Sequence, residues 1–277
     1  MYCLSELVIY PVKSTQGITL TSSQVVDSGL WGDRRYTLIN PVGEIITGRT
    51  HPQITLIAGK QLDDSRWRFS HPTMKTDLLL DKASFFDVYT DIVVWEDAVK
   101  AQFTAETANL WFSQIAGEDV KLVHFGDASR RFTHRKPDVP VGFADGYPFL
   151  LTTESSLSEL NRTCTQSIKM AQFRPNLVIC GNHAFEEDKW KRIRIGSVLF
   201  ENVKPCIRCI FTTLNPQTAE RIPKGEPLKT LGKFRLLEDK GITFGINLVA
   251  LNKGTIQVGD DVEILEYQEA HSYVDRR

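Results

Sequence analysis

Apolar and polar positions alternate in short bursts through the first hundred residues, a period that predicts strands. The run ELVIYPVK at 6–13 is β-rich and is cut by Pro11, which has no N–H to give a ladder. RRYTLINPVGEIITGR, 34–49, reads as a hairpin with Asn40-Pro41-Val42-Gly43 as its turn. DLLL at 77–80, FFDVY at 85–89 and DIVVWEDAVKAQF at 91–103 continue the pattern. The period changes after Thr104. AETANLWFSQIAG, 105–117, places Ala108, Trp111, Phe112 and Ile115 on one helical face, with Thr104 as the predicted N-cap and Gly117 as the stop.

Residues 126–145, GDASRRFTHRKPDVPVGFAD, are polar, basic and interrupted by proline, which predicts a long surface loop. A second helix is expected from Thr152-Thr153-Glu154, with Leu157 and Leu160 inward, and a strand within FRPNLVICG at 173–181. WKRIRIGSVLFENVKPCIRCIF, 190–211, and FGINLVALNKGTIQVGDDVEIL, 244–265, return to strand periodicity, and Gly259-Asp260-Asp261 marks a tight turn between the last two strands. The pattern predicts an α+β chain rich in β-barrel, with a seam between 90 and 145. The polar end YQEAHSYVDRR leaves the last strand without a closing element and reads as a tail or linker.

At 277 residues, 42% of them hydrophobic, the chain has material for one large domain or two ordinary ones. The formal net charge is −1, so a cationic site has to be a local cluster, and neither a nucleic acid nor an acidic membrane surface is an expected partner. The start MYCLSELVIYPVK has no basic segment ahead of its apolar run, and no apolar stretch reaches the roughly 20 residues that span a bilayer. Five cysteines, Cys3, Cys164, Cys180, Cys206 and Cys209, are an odd number in a chain too large to need stapling. They read as reduced thiols of a cytoplasmic protein.

Cys206 and Cys209 lie two residues apart in VKPCIRCIFTT. Zinc would need a second ligand pair, and none stands at ligand spacing. A redox dithiol would sit where a strand opens a helix, whereas IFTT prefers strand. Two packed small residues, or a thiolate for another metal favoured by Lys204 and Arg208, remain open. Other cations stand at strand ends: Lys13 with Ser14 in YPVKS, Arg34 and Arg35 in GDRRY, Arg49 in TGRTHP, and Arg174 with Asn176 in FRPN. Each alone reads as a solvated charge. Their shared position makes an anionic ligand worth expecting.

YPVKS, GLWGDRRY, ITGRTHPQ, FADGYPFLL, FRPNLVICG, EDKWKRIRIGSVLF, KPCIRCIFTT, GEPLKTLGKFR and GTIQVGDDVEIL occur in that order. Together they resemble the MOSC-domain proteins that carry an additional N-terminal barrel, of the kind represented by bacterial YcbX-type proteins and the mitochondrial amidoxime-reducing component. The resemblance covers roughly residues 1–266. It implies a MOSC-type β-barrel fold packed with an N-terminal β-barrel: a first domain over 1–120, a MOSC domain over 121–266 and a polar tail or linker over 267–277. It also implies a molybdenum cofactor in its molybdopterin form, with Cys209 as the molybdenum ligand and catalytic thiolate and Cys206 as a neighbour. Lys13, Ser14, Arg34, Arg174, Asn176 and Arg208 are similar to residues that hold the pterin and its phosphate, and Arg49 and Thr153 join them. A phosphate would suit the helix start at Thr152-Thr153.

The implied activity is reduction of N-hydroxylated small molecules (hydroxylaminopurines, amidoximes, hydroxamic acids) by N–O cleavage, a detoxifying chemistry. Relatives of this type often continue into a ferredoxin-like domain, whose cysteine run this sequence does not show. Electrons are therefore expected from an external iron–sulfur or flavin partner, such as a ferredoxin-like protein with its reductase, with no iron–sulfur cluster in this chain. No pyridoxal phosphate is expected either. His51 and Asp145 are candidate proton donors with structural alternatives. Two rival readings are a carrier of molybdenum cofactor or sulfur without turnover, and a ligand-binding barrel with buried thiols.

Overall fold

A closed seven-stranded barrel organises the chain. The computed structural model describes residues 2–181, 183–237 and 241–277. Phe149–Thr153 runs parallel to Leu177–Cys180, the only parallel pair in the circuit among the described residues. From there each neighbour is antiparallel: Leu177–Cys180 to Tyr2–Ile9, then Asp261–Tyr267, Trp190–Ile195, Val198–Ile207 and Gly241–Ala250, which returns to Phe149–Thr153. Closure leaves the ring without edges. The interior is apolar, with Leu4, Leu7, Leu151, Leu177, Ile193, Ile246 and the edge-to-face pair Phe149–Phe200 at 5.2 Å. Gly245 is in the left-handed region at φ 75°, and a Cβ there would meet the Leu151 carbonyl at 2.5 Å. Only glycine lets the two strands approach that closely.

The first strand of the chain thus belongs to the barrel that the C-terminal half otherwise builds, and Gly254–Gln257 pairs in return with Ser22–Val26. Across the expected boundary at 120, Lys121–His124 joins Tyr36–Ile39 in a five-stranded sheet with Ile45–Ile46, Asp97–Phe103 and Tyr89–Val94. Ala58–Gln61, Arg66–Ser70 and Leu78–Asp81 form a further sheet. Asn40–Gly43 makes the expected turn, with the Gly43 N–H on the Asn40 carbonyl at 3.0 Å.

Helix α1, Glu106–Ala116, buries Ala108, Trp111, Phe112 and Ile115 and ends at Gly117 with φ 80°. Its N-cap is Ala105, not Thr104. The Thr104 hydroxyl donates instead to the Leu122 carbonyl at 2.7 Å, tying the strand below the helix. Helix α2, Glu154–Thr163, starts at Thr153, whose hydroxyl accepts from the Ser156 N–H, and it buries Leu160.

Three expectations are corrected. Residues 126–145 do not simply lie on the surface. Arg131 is buried and donates to the carbonyls of Gly142, Ala144 and Asp145 and to Asp97, so the segment is pinned from within. The polar end does not trail away: Gln268 donates to the Lys189 carbonyl, and the Tyr273 hydroxyl accepts from Arg235 at 3.2 Å and from Thr243 at 3.0 Å. Cys3 and Cys180 stand opposite each other in the ladder, with Cα atoms 5.4 Å apart, and are joined as a disulfide. Cys164, Cys206 and Cys209 are free thiols. With two cysteines paired, their count no longer argues for a reducing compartment.

Candidate functional site

Four strand ends converge on one cleft of about 130 Å³. Past Ile9 the chain cannot continue its ladder at Pro11, and it crosses to the five-stranded sheet through the bridge Val12–Tyr36 and the Lys13 N–H on the Tyr36 carbonyl at 2.8 Å. This delivers Lys13 and Ser14. Arg34 arrives from the turn before Tyr36, with its N–H on the Tyr10 carbonyl at 2.8 Å. Its own carbonyl accepts from Phe143, and a Cβ at Gly142 would come within 2.9 Å of that oxygen. Arg174 and Asn176 flank Pro175 ahead of the strand Leu177–Cys180.

The cysteine segment comes from the end of Val198–Ile207. Irregular pairing between Pro205 and Ile207 turns the chain there, and the Arg208 N–H reaches the Ile242 carbonyl at 2.7 Å. Ile210–Thr213 is a 3₁₀ turn, not the expected strand, because the Cys209 carbonyl accepts from both the N–H and the hydroxyl of Thr212. Cys209 is left exposed at the cleft, while the half-buried Cys206 sulfur accepts from Arg208 Nη1 at 2.8 Å.

Ser14, Arg34 and Arg174 have φ of 73°, 45° and 58°. Non-glycine residues enter this region at a cost, and here three cleft residues do so together. Their conformations are imposed by surrounding contacts. The guanidinium groups of Arg34 and Arg174 both lie over the Tyr10 ring, at 4.2 and 4.0 Å, and Arg34 forks onto Asp33 at 2.7–2.8 Å and donates to the Arg174 carbonyl. Tyr10, buried and anchored by its hydroxyl to the Pro175 carbonyl, is the spacer that lets two like charges share a wall.

Five cationic side chains line the cleft (Lys13, Arg34, Arg49, Arg174 and Arg208) against one carboxylate, Asp145. In a chain of net charge −1 this concentration selects an anion. Burial lowers the Lys13 ammonium, opposed by Asp145, to which Lys13 is ion-paired. Burial pushes Asp145 up, but Lys13, Arg49 and Arg34 pull it further down, leaving it well below the usual carboxylate range. Arg174 is lowered to about 10, first by burial. Asp33 is raised by burial against the pull of Arg34.

The cleft therefore brings together Lys13, Ser14, Arg34, Arg49, Arg174, Asn176, Cys206, Arg208 and Cys209. Asn176 lines it while its amide clamps the barrel, donating to the Val8 carbonyl at 3.1 Å and accepting from the Leu150 N–H. Arg49 reaches in from the hairpin end and stacks over Trp95 at 4.7 Å. Thr153 is not among the lining residues. Its hydroxyl caps α2 and donates to Glu187, whose buried carboxylate also takes the Ser156 hydroxyl at 2.7 Å. The helix start expected to face a phosphate is already occupied by this side chain. His51 is paired with Glu118 at 2.8 Å and lies outside the cleft lining. Tyr10, Phe211 and Thr212 were not expected from sequence; an aromatic directly before Pro11 was the available sign of the first.

Fold and cleft define a class. A MOSC domain matches residues 138–263 and a MOSC N-terminal beta barrel domain matches 1–119, so the chain belongs to the MOSC family with the accompanying N-terminal barrel. Among its relatives, the chain is 32% identical to mitochondrial amidoxime-reducing component 1 of Homo sapiens, over 95% of this chain and 82% of that protein. It is 31% identical to mitochondrial amidoxime reducing component 2 of Bos taurus, over 94% of this chain and 82% of that one. It is also 31% identical to the molybdenum cofactor sulfurase of Oryza sativa subsp. japonica, over 94% of this chain but 34% of that longer protein. No helix among the described residues is long and apolar enough to cross a membrane.

Proposed function

We propose that the chain is a molybdenum-cofactor-dependent reductase of N-hydroxylated small molecules, namely hydroxylaminopurines, amidoximes and hydroxamic acids. The observation that carries this reading is the meeting of an exposed thiol, Cys209, with five cations in one cleft. The amidoxime-reducing relatives support it.

The residues fit such a group. Thiolate is the soft ligand that molybdenum takes, and Cys209 offers one that is open to the cleft. The phosphate and dithiolene of the cofactor are anionic, matching the charge excess. Arg208 Nε is buried without a partner among the described residues, a donor that a bound acceptor would satisfy. When bound, the cofactor supplies the two-electron oxygen removal.

In this reading Cys209 holds the metal. Arg174, Arg208, Arg34 and Lys13 hold the phosphate and pterin, with Ser14, Asn176 and Arg49 around them. Cys206 is a neighbour fixed by Arg208, and Thr153 stands outside the cleft lining. The net reaction takes two electrons and two protons to each N–OH and gives N–H and water. Asp145, kept ionised by Lys13, can accept but not donate a proton at neutral pH, so Lys13 Nζ is the proton-bearing atom of that pair. Electrons come from a separate iron–sulfur or flavin protein.

The test is molybdenum and pterin content of chain purified from cofactor-competent cells, with viologen-driven reduction of benzamidoxime. Cys209→Ser should lose activity while Cys206→Ser keeps much of it. Equal loss in two folded variants would sink the single-ligand assignment. The rice relative favours a second reading, a carrier of cofactor or sulfur. Full cofactor content without turnover of any N-hydroxylated compound would decide for it.

A further inference from the structure

A second cavity, of about 160 Å³, lies on the N-terminal side and shares no lining residue with the cleft. Its walls include Leu30, Trp31, Tyr36 and Trp67, and two cations face it, Arg35 and Lys82. The indoles of Trp31 and Trp67 are stacked, with centroids 6.4 Å apart and planes inclined at 16°. Among the described residues neither Arg35 nor Lys82 has a carboxylate within the 4.0 Å of an ion pair. Asp127 acts on both, and Asp64 on Lys82, only from farther away. Desolvation holds both cations below their ordinary values, at Lys82 through its stem since the residue is otherwise exposed, and the Arg35 charge adds to this at Lys82. The Tyr36 hydroxyl behind the wall is buried with no partner among the described residues.

Two like charges without a close ion-pair partner beside an aromatic wall are a recognisable demand. An anion would relieve the repulsion, and a flat ring would cover what Trp31 leaves open. We propose that this cavity binds a small aromatic carboxylate, its ring against the half-buried Trp31, which is backed by the buried Trp67, and its two oxygens shared between Arg35 and Lys82. A planar carboxylate matches the guanidinium fork, whereas a bare phosphate leaves Trp31 uncovered. The proposal is independent of the molybdenum reading. It has a structural link to the cleft, since Arg34 lines one site and Arg35 the other.

The experiment titrates the purified full chain with benzoate, read by tryptophan fluorescence and calorimetry, beside benzyl alcohol and inorganic phosphate. Benzoate should saturate, benzyl alcohol should bind much more weakly, and phosphate, which the cleft also attracts, should not displace benzoate. Lys82→Gln and Arg35→Gln should each weaken benzoate about tenfold or more, the effect of losing a charge-assisted contact. Lys82 is exposed, so its variant keeps the fold even where that of Arg35, bonded to the Phe125 carbonyl, does not. Arg208→Gln in the cleft should bind benzoate as the parent does. Absence of saturation, displacement of benzoate by equimolar phosphate, unchanged affinity in Lys82→Gln, or loss confined to Arg208→Gln would each overturn the proposal.

Discussion

Replacing Glu187 by Gln removes a carboxyl that is wholly buried against the start of α2, bonded to Thr153 and Ser156 and next to the buried pair Asp188–Arg235. Burial, then the charge of Asp188, raises this carboxyl from 4.5 to about 7. Folding thus holds its proton, and the stability this confers is complete below pH 4.5 and lost as pH rises through 7. His124 does the opposite. Burial, with Arg35 and Lys82 nearby, lowers it from 6.5 to about 3, so its contribution is complete above pH 6.5 and lost as pH falls toward 3. Between pH 4.5 and 6.5 the two slopes oppose each other, each about 1.4 kcal/mol per pH unit, so about 3 kcal/mol across the window. Urea unfolding at half-unit pH steps reads the effect as a difference from the parent, in which other groups cancel. Glu187→Gln should gain stability over the parent by about that amount as pH climbs from 4.5 to 6.5. His124→Asn should lose as much relative to the parent. Variant curves parallel to the parent would refute both assignments.

Arg174→Ala and Arg208→Ala should lower pterin content by one to two orders of magnitude in affinity, roughly 1.5–3 kcal/mol, with less effect on thermal stability; full occupancy in both would remove the proposed phosphate contacts. Tyr36→Phe deletes a buried hydroxyl without a partner and should raise stability by up to about 1 kcal/mol, or roughly 2–4 °C in Tm, measured by calorimetry; a marked loss would mean that the hydroxyl is bonded after all. Reduced viologen should support turnover of a hydroxylaminopurine, whereas NADH should not, because no glycine-rich dinucleotide fingerprint follows a strand in the sequence; rapid NADH-driven turnover would reveal an unseen electron entry.

Local elements were legible because local rules govern them. The face of α1 followed from the spacing of four apolar residues, and the turn at Asn40–Gly43 from its residue types. Long-range competition was not legible. Thr104 has the chemistry of a cap, yet the Leu122 carbonyl took its hydroxyl. The start of α2 was expected to await a phosphate, but Glu187, more than thirty residues on, folds back onto it. Arg131 belongs to a stretch whose polarity reads as surface, and its guanidinium finds three carbonyls and the Asp97 carboxylate inside. In the cleft, cation identity could be read from motifs, whereas the left-handed backbone at Ser14, Arg34 and Arg174 and the spacer role of Tyr10 exist only once the strands converge.

The place of Tyr2–Ile9 in the barrel sets a schedule for synthesis. It is made about 250 residues ahead of its partner Asp261–Tyr267. At about 5–20 residues per second that interval is roughly 10–50 s, and for about the first two thirds of it the segment YCLSELVI lacks its other barrel neighbour, Leu177–Cys180, as well. The walls of the cleft are split in the same way, since Lys13 and Arg34 are made early whereas Arg208 and Cys209 come late. A growing chain shorter than 209 residues cannot present the complete charge cluster, so whatever anion fills it meets a chain most of which has already been made.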